Sequence, residues 1–139
     1  MRLDYTSLIS ALSQLQKSLG YLNSDLAKND HELYLQFRAA TIQAFEYTYE
    51  LSWKMIKRWV AFNVSPEMSE PLYSRKELFR QAAKEGLIKD PIPWFKYHEA
   101  RNISSHTYQE STAAKVVTFA PGLAEDVRFL LDELDKRNA

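Results

Sequence analysis

The sequence predicts an all-α protein, an up-and-down bundle of four or five helices forming one domain over residues 1–139. Three observations predict it. Leucines recur at spacings of three and four near the N-terminus, two adjacent apolar stripes run through the middle of the chain, and no alternating strand with hairpin turns occurs. A chain of 139 residues is long enough to bury one sizeable core.

Leu8, Leu12, Leu15, Leu19, Leu22 and Leu26 place one apolar stripe on a first helix, roughly residues 4 to 27. Asn29-Asp30 can end it, with Asp30 as N-cap of the next helix. That second helix is expected from about 31 to 62. Phe37, Thr41, Ala44, Thr48, Ser52, Met55 and Trp59 form one stripe, and Phe45, Tyr49, Trp53, Ile56 and Val60 a second beside it. Burial over so wide an arc places this helix centrally. The small residues Ala44, Thr48 and Ser52 admit a close neighbour, either a second copy of the chain or another helix of the same subunit.

Asn63 to Tyr73, with Pro66 and Pro71, reads as a loop. Ser74-x-x-Glu77 matches a capping box for a short helix through Leu78, Phe79, Ala82 and Ala83, which Gly86 can stop in a left-handed turn. Asp90-Pro91 signals the start of a helix running through Trp94, Phe95 and Tyr97 to about Thr107. Ser111 or Thr112 opens the last helical region, Pro121-Gly122 breaks or kinks it, and Val127, Leu130, Leu131 and Leu134 form its apolar face.

Composition excludes several functions. The chain carries 18 basic and 18 acidic residues, so no global field attracts nucleic acid and any RNA contact must be local. It has no cysteine, which excludes disulfides, thiolate zinc sites and Cys nucleophiles. The three glycines, at 20, 86 and 122, assemble no phosphate loop or dinucleotide fingerprint, and no cofactor is expected. No apolar run resembles a signal peptide or a membrane span, so a cytoplasmic protein without membrane contact is expected.

The chemistry concentrates in Arg101-Asn102-Ile103-Ser104-Ser105-His106-Thr107-Tyr108. Arg binds phosphate through a planar fork, and His moves protons near neutral pH. On a straight helix Asn102 and His106 share a face, whereas Arg101 and His106 lie about 140° apart. Either the helix frays near Ser105 or the site is a broad groove completed by another surface, and the groove is the preferred expectation. A two-fold dimer would bring two Arg and two His into one cleft. Two imidazoles also suit metal-free RNA cleavage, which needs both a base and an acid. His98 and His106 are about 12 Å apart along the axis, too far to share an ion, so no metal site is expected within one chain.

Arg101-x4-His106-x-Tyr108 resembles the signature of the HEPN superfamily. Phe45-Glu46-Tyr47-Thr48-Tyr49-Glu50-Leu51-Ser52-Trp53-Lys54 resembles the Phe-Glu-x-x-Tyr-Glu-Leu-x-Trp-Lys block of its nucleotidyltransferase substrate-binding branch, as does Arg101-Asn102-x-x-Ser105-His106-x-Tyr108. The Gly-Ser start and paired aspartates of a nucleotidyltransferase active site are missing, so the chain is not expected to transfer nucleotides itself. The resemblance implies a homodimeric helical protein that pairs with a separate minimal nucleotidyltransferase and binds substrate, nucleotide or RNA. It implies alternatively a metal-independent ribonuclease toxin, with Arg101 and His106 catalytic, silenced by that partner through adenylylation of Tyr108. In either case Asn102, Ser105 and Tyr108 would contact substrate. Glu46 or Glu50 would orient Arg101, Glu50 being the stronger candidate because it lies between Tyr49 and Trp53.

Overall fold

The computed structural model describes residues 3–69 and 74–137, and all regular structure in them is helical. The elements are α1 (Thr6–Leu22), α2 (Asp25–Asn29), α3 (His31–Asn63), α4 (Arg75–Lys84), α5 (Pro91–Ile103), α6 (Glu110–Val117) and α7 (Ala120–Arg137). Short 3-10 turns lie at Pro66–Ser69 and Ser104–His106. The expected helical bundle is therefore present, with α3 as its central rod against α1, α4, α6 and α7.

Local chemistry sets most boundaries. Asp30 Oδ1 accepts from the N–H groups of Glu32 and Leu33, Ser74 Oγ from Glu77 N–H, and Asp90 Oδ1 from Ile92 N–H. Each satisfies a backbone donor at a helix start, a contribution of about 1 kcal/mol. Gly86 takes φ 76, the left-handed geometry that ends α4. Only part of the expected Asn63–Tyr73 loop lies within the described residues, and there Pro66–Ser69 forms a 3-10 turn.

Several boundaries differ from the sequence reading. The first helix does not reach residue 27: it stops at Leu22, and Ser24 caps α2 by accepting from Ala27 N–H. That break shifts the helical phase, so Ala27 is buried and Leu26 exposed. The α5 helix ends at Ile103 rather than Thr107. The α6 helix begins at Glu110, one residue before the expected start. Pro121-Gly122 does not break a helix but sits in the first turn of α7, where the missing proline N–H has no intrahelical partner to lose. The interruption falls just before it, at Thr118-Phe119.

The stripe of Ala44, Thr48 and Ser52 is buried inside one subunit. Thr48 Oγ1 donates to the Ala11 carbonyl, so α1 is the close neighbour at Thr48. Trp94 is buried where α3, α4 and α5 meet, against the rings of Tyr49, Phe79 and Tyr97. Arg38 grips Glu110 at the start of α6 through two hydrogen bonds of 2.7 and 2.6 Å.

Tyr97 donates a hydrogen bond to Asp126 of α7 and approaches Gly122 so closely that a Cβ there would lie 2.9 Å from its hydroxyl. Burial pushes the Asp126 carboxyl above its ordinary range, partly offset by the Tyr97 hydroxyl and Lys89. A carboxyl with a raised folded pKa holds its proton more tightly folded than unfolded. Its ionisation therefore removes stability as pH rises from the unfolded value of 3.8 through the folded one. Asp126→Asn is expected to flatten that loss and to match or exceed the parent's stability at neutral pH. Thermal melts of both proteins from acid to neutral pH check this; a variant with the parent's pH profile refutes it.

Candidate functional site

Arg101 is the last basic residue of α5, and its guanidinium turns toward α3. Its Nη1 donates to Glu46 Oε2 at 2.8 Å and to Ser104 Oγ at 3.1 Å. Ser104 Oγ in turn lies 2.6 Å from the same Glu46 oxygen and 2.8 Å from the Arg101 carbonyl. Nε is 3.3 Å from Glu50 Oε1, near enough for attraction but out of line for a hydrogen bond, so this buried donor has no aligned acceptor. Glu46 thus orients Arg101 more directly than Glu50, the reverse of the sequence expectation. Glu50 is itself held by Trp53, whose Nε1 donates to it at 3.2 Å.

The side chains of Arg101, Glu46 and Glu50 are 33, 26 and 34% exposed. Pairs this open to water contribute at most about 1 kcal/mol each. The cluster therefore matters for direction: it fixes a guanidinium at a helix end while leaving it open to solvent.

After Ile103 the backbone tightens into the Ser104–His106 3-10 turn. The sequence reading preferred a broad groove completed by another surface over a helix frayed near Ser105, and the helix does change character there. His106 and Tyr108 are exposed, with His106 Nδ1 3.3 Å from the Tyr108 hydroxyl and the rings edge to face. Tyr108, at 78% relative exposure, is fully available to another molecule. Ser105 is also exposed. Among the described residues Arg101 and His106 share no hydrogen bond; one addresses α3 and the other pairs with Tyr108.

A second polar group adjoins Arg101. Arg75 of α4 stacks on Trp53, 3.6 Å from the ring centroid, and its Nη1 lies 3.1 Å from the Tyr49 hydroxyl and 3.0 Å from His98 Nδ1. Tyr49 also lies 3.0 Å from that nitrogen. Arg can only donate, so Nδ1 must be an acceptor and the His98 proton sits on Nε2. Asn102 Nδ2 is 3.5 Å from Nε2, and turning the amide would present its oxygen to the N–H. Burial, then the Arg75 charge, lowers the His98 pKa, while burial pushes the Tyr49 phenol up to about 12. Both groups are neutral near pH 7. His98 is expected to titrate below the ordinary 6.5, with a midpoint that rises in Arg75→Gln. Imidazole NMR shifts against pH measure this, and a midpoint insensitive to Arg75 contradicts the assignment.

The sequence reading named Arg101, Glu46 and Glu50, which the fold gathers at the junction of α3 and α5, and Asn102, which sits beside His98 on α5. It missed Ser104, Arg75 and the engagement of His98 by Tyr49. Only Ser104 had a local signal, three residues after Arg101 and so beside it on a helix.

These features define a helical bundle with a polar cluster at the meeting of its central rod and α5. The chain belongs to the family described as nucleotidyltransferase substrate binding protein like, whose model matches residues 3–136. It is 38% identical over 100 residues to a protein named "Probable ribonuclease HepT" from Haemophilus influenzae, covering 72% of this chain and 68% of the relative. A solved Haemophilus influenzae structure, described as revealing the fold of a substrate binding domain of a nucleotidyltransferase, is 29% identical. It superposes with TM-score 0.86 over 95% of this chain and 99% of that one. A Thermus thermophilus structure shares the fold, at TM-score 0.68 and 24% identity over 91% of this chain and 98% of the other. No helix of the described residues is long and apolar enough to cross a membrane.

Proposed function

We propose that this chain is the substrate-binding half of a two-component system, pairing with a separate small nucleotidyltransferase and presenting a nucleotide- or RNA-binding surface at the end of α5. The observation that carries the proposal is the guanidinium of Arg101, aimed by Glu46 and Ser104 with its side chain a third exposed, on the helix whose following turn bears the exposed His106–Tyr108 pair. Nη1 and Nε face Glu46, Ser104 and Glu50, which leaves Nη2 of this fixed guanidinium to donate to phosphate. Membership of a family described as substrate-binding for nucleotidyltransferases supports the partner. In this reading Arg101 holds phosphate, while Asn102, Ser105 and Tyr108 contact the substrate and Glu46 and Glu50 position the guanidinium.

A second reading is favoured by the relative named as a probable ribonuclease. Here the same surface cleaves RNA. His106 takes or returns a proton at the 2′-hydroxyl and the leaving 5′-oxygen, and Arg101 offsets charge on the phosphorane. A homodimer would supply the second imidazole. The partner would silence the enzyme by transferring a nucleotidyl group from a nucleoside triphosphate to the Tyr108 hydroxyl, with pyrophosphate leaving and the phenol proton lost to solvent; the exposed hydroxyl needs no opening of the fold to be reached.

Co-expression with the small nucleotidyltransferase encoded beside the gene tests both. Co-purification of the two chains, with Tyr108 gaining the mass of a nucleotidyl group, is the expected result. Absence of such a gene, or a chain that never co-purifies with its product, ends the two-component proposal. Growth inhibition by the chain alone that survives His106→Ala ends the ribonuclease reading.

A further inference from the structure

We propose that the groove along the outer face of α3, lined by Trp53, Lys54, Lys57, Arg58 and Ala61, carries the phosphate backbone of single-stranded RNA toward the Arg101 site. The inference rests on the nucleotide- or RNA-binding reading above and extends it to a surface that neither the family description nor the relatives' names assign.

The groove has a volume of about 320 Å³. Lys54, Lys57, Arg58 and Ala61 stand at offsets of three, four and seven residues, which puts them on one helical face. Among the described residues none of the three cations forms an ion pair with a carboxylate. In a chain of zero net charge this is a local concentration of unpaired positive charge. Such a stripe is the footprint of a polyanion.

The wall of the groove favours nucleic acid over an acidic protein. Trp53 stands at its head with Lys57 Nζ 5.6 Å and the Arg75 guanidinium 3.6 Å from its ring centroid. Cations interleaved with an aromatic are the usual lining of a single-strand channel.

Continuity with the site supplies the direction. Trp53 Nε1 bonds Glu50, and Glu50 lies 3.3 Å from Arg101 Nε. A strand lying over Arg58, Lys57 and Lys54 therefore runs past Trp53 onto the guanidinium. From Arg58 to Lys54 the helix advances about 6 Å, and another eight residues to Glu46 add about 12 Å.

The experiment is anisotropy of a fluorescein-labelled single-stranded 20-mer oligoribonucleotide across a salt series, with wild type, Lys54→Gln/Lys57→Gln/Arg58→Gln and Arg101→Ala compared. All three substituted cations reach solvent, and a thermal melt confirms the fold. Each phosphate contact to a single strand contributes about 0.7 to the slope of log K against log salt. The triple variant is expected to bind at least about tenfold more weakly at low salt, with a slope shallower by about 2. An unchanged slope in the triple variant, with binding still weakened by Arg101→Ala, overturns the groove and leaves the RNA reading standing. Wild type that binds no RNA overturns both. A triple variant that binds RNA normally but no longer co-purifies with the nucleotidyltransferase makes the groove a protein-docking face and also overturns the inference.

Discussion

Arg101→Ala is expected to weaken binding of an oligoribonucleotide and, in the ribonuclease reading, to lower strand cleavage by about 10²–10³-fold, the usual cost of deleting one oriented donor to a developing anion. The thermal midpoint is expected to stay within a few degrees of the parent. The two effects separate because of where the residue sits. Its partners Glu46 and Glu50 are 26 and 34% exposed, so water can solvate them once the guanidinium is gone. Phosphate has no such substitute for the Nη2 donor of a guanidinium held by Glu46 and Ser104. Arg101→Lys keeps the charge but loses the planar fork, and is expected to fall between parent and alanine. Binding and cleavage titrations across the three proteins give the answer. Equal function in all three removes Arg101 from the site.

The largest expected loss of stability is for Trp94→Ala, about 3–5 kcal/mol. Its ring is 1% exposed and meets Phe79 of α4, Tyr49 of α3 and Tyr97 within α5 at centroid distances of 5.5, 6.5 and 5.5 Å. Removing it opens a cavity at the joint that seats α5 against the rod carrying Glu46 and Glu50. A fall in melting temperature of roughly 10 °C or more is expected. Oligoribonucleotide binding by the folded fraction should fall too if the proposed reading holds, since the angle of Arg101 depends on that joint. A variant with an unchanged melt would show that the ring is not a keystone of the packing.

The parts of this fold legible in the sequence were those written locally. Asp30, Ser74 and Asp90 announce helix starts because an N-cap acts on donors two or three residues ahead. The same logic went unused at Ser24. There the leucine periodicity through Leu26 outweighed a cap that resets the phase. At the site, resemblance to a family named Arg101, His106, Asn102, Ser105, Tyr108 and the two glutamates. It did not rank Glu46 above Glu50, because that order depends on the rotation of α5 against α3. Arg75 was invisible for a related reason: its contacts to Tyr49 and His98 lie 26 and 23 residues away. No spacing rule relates residues on different helices before the packing is known.

Arg38 and Glu46 lie on the same helix, and between them they hold both ends of the segment that bears His106 and Tyr108. Ser104 is tied to Glu46 and Glu110 to Arg38. The intervening five residues form a short strap fastened at two points about 12 Å apart on one rigid beam. The span of the strap, more than the identity of each residue on it, then governs how far an imidazole or a phenol can reach. Substitutions between the anchors leave that reach unchanged, whereas adding or deleting a residue alters the reach of the whole display.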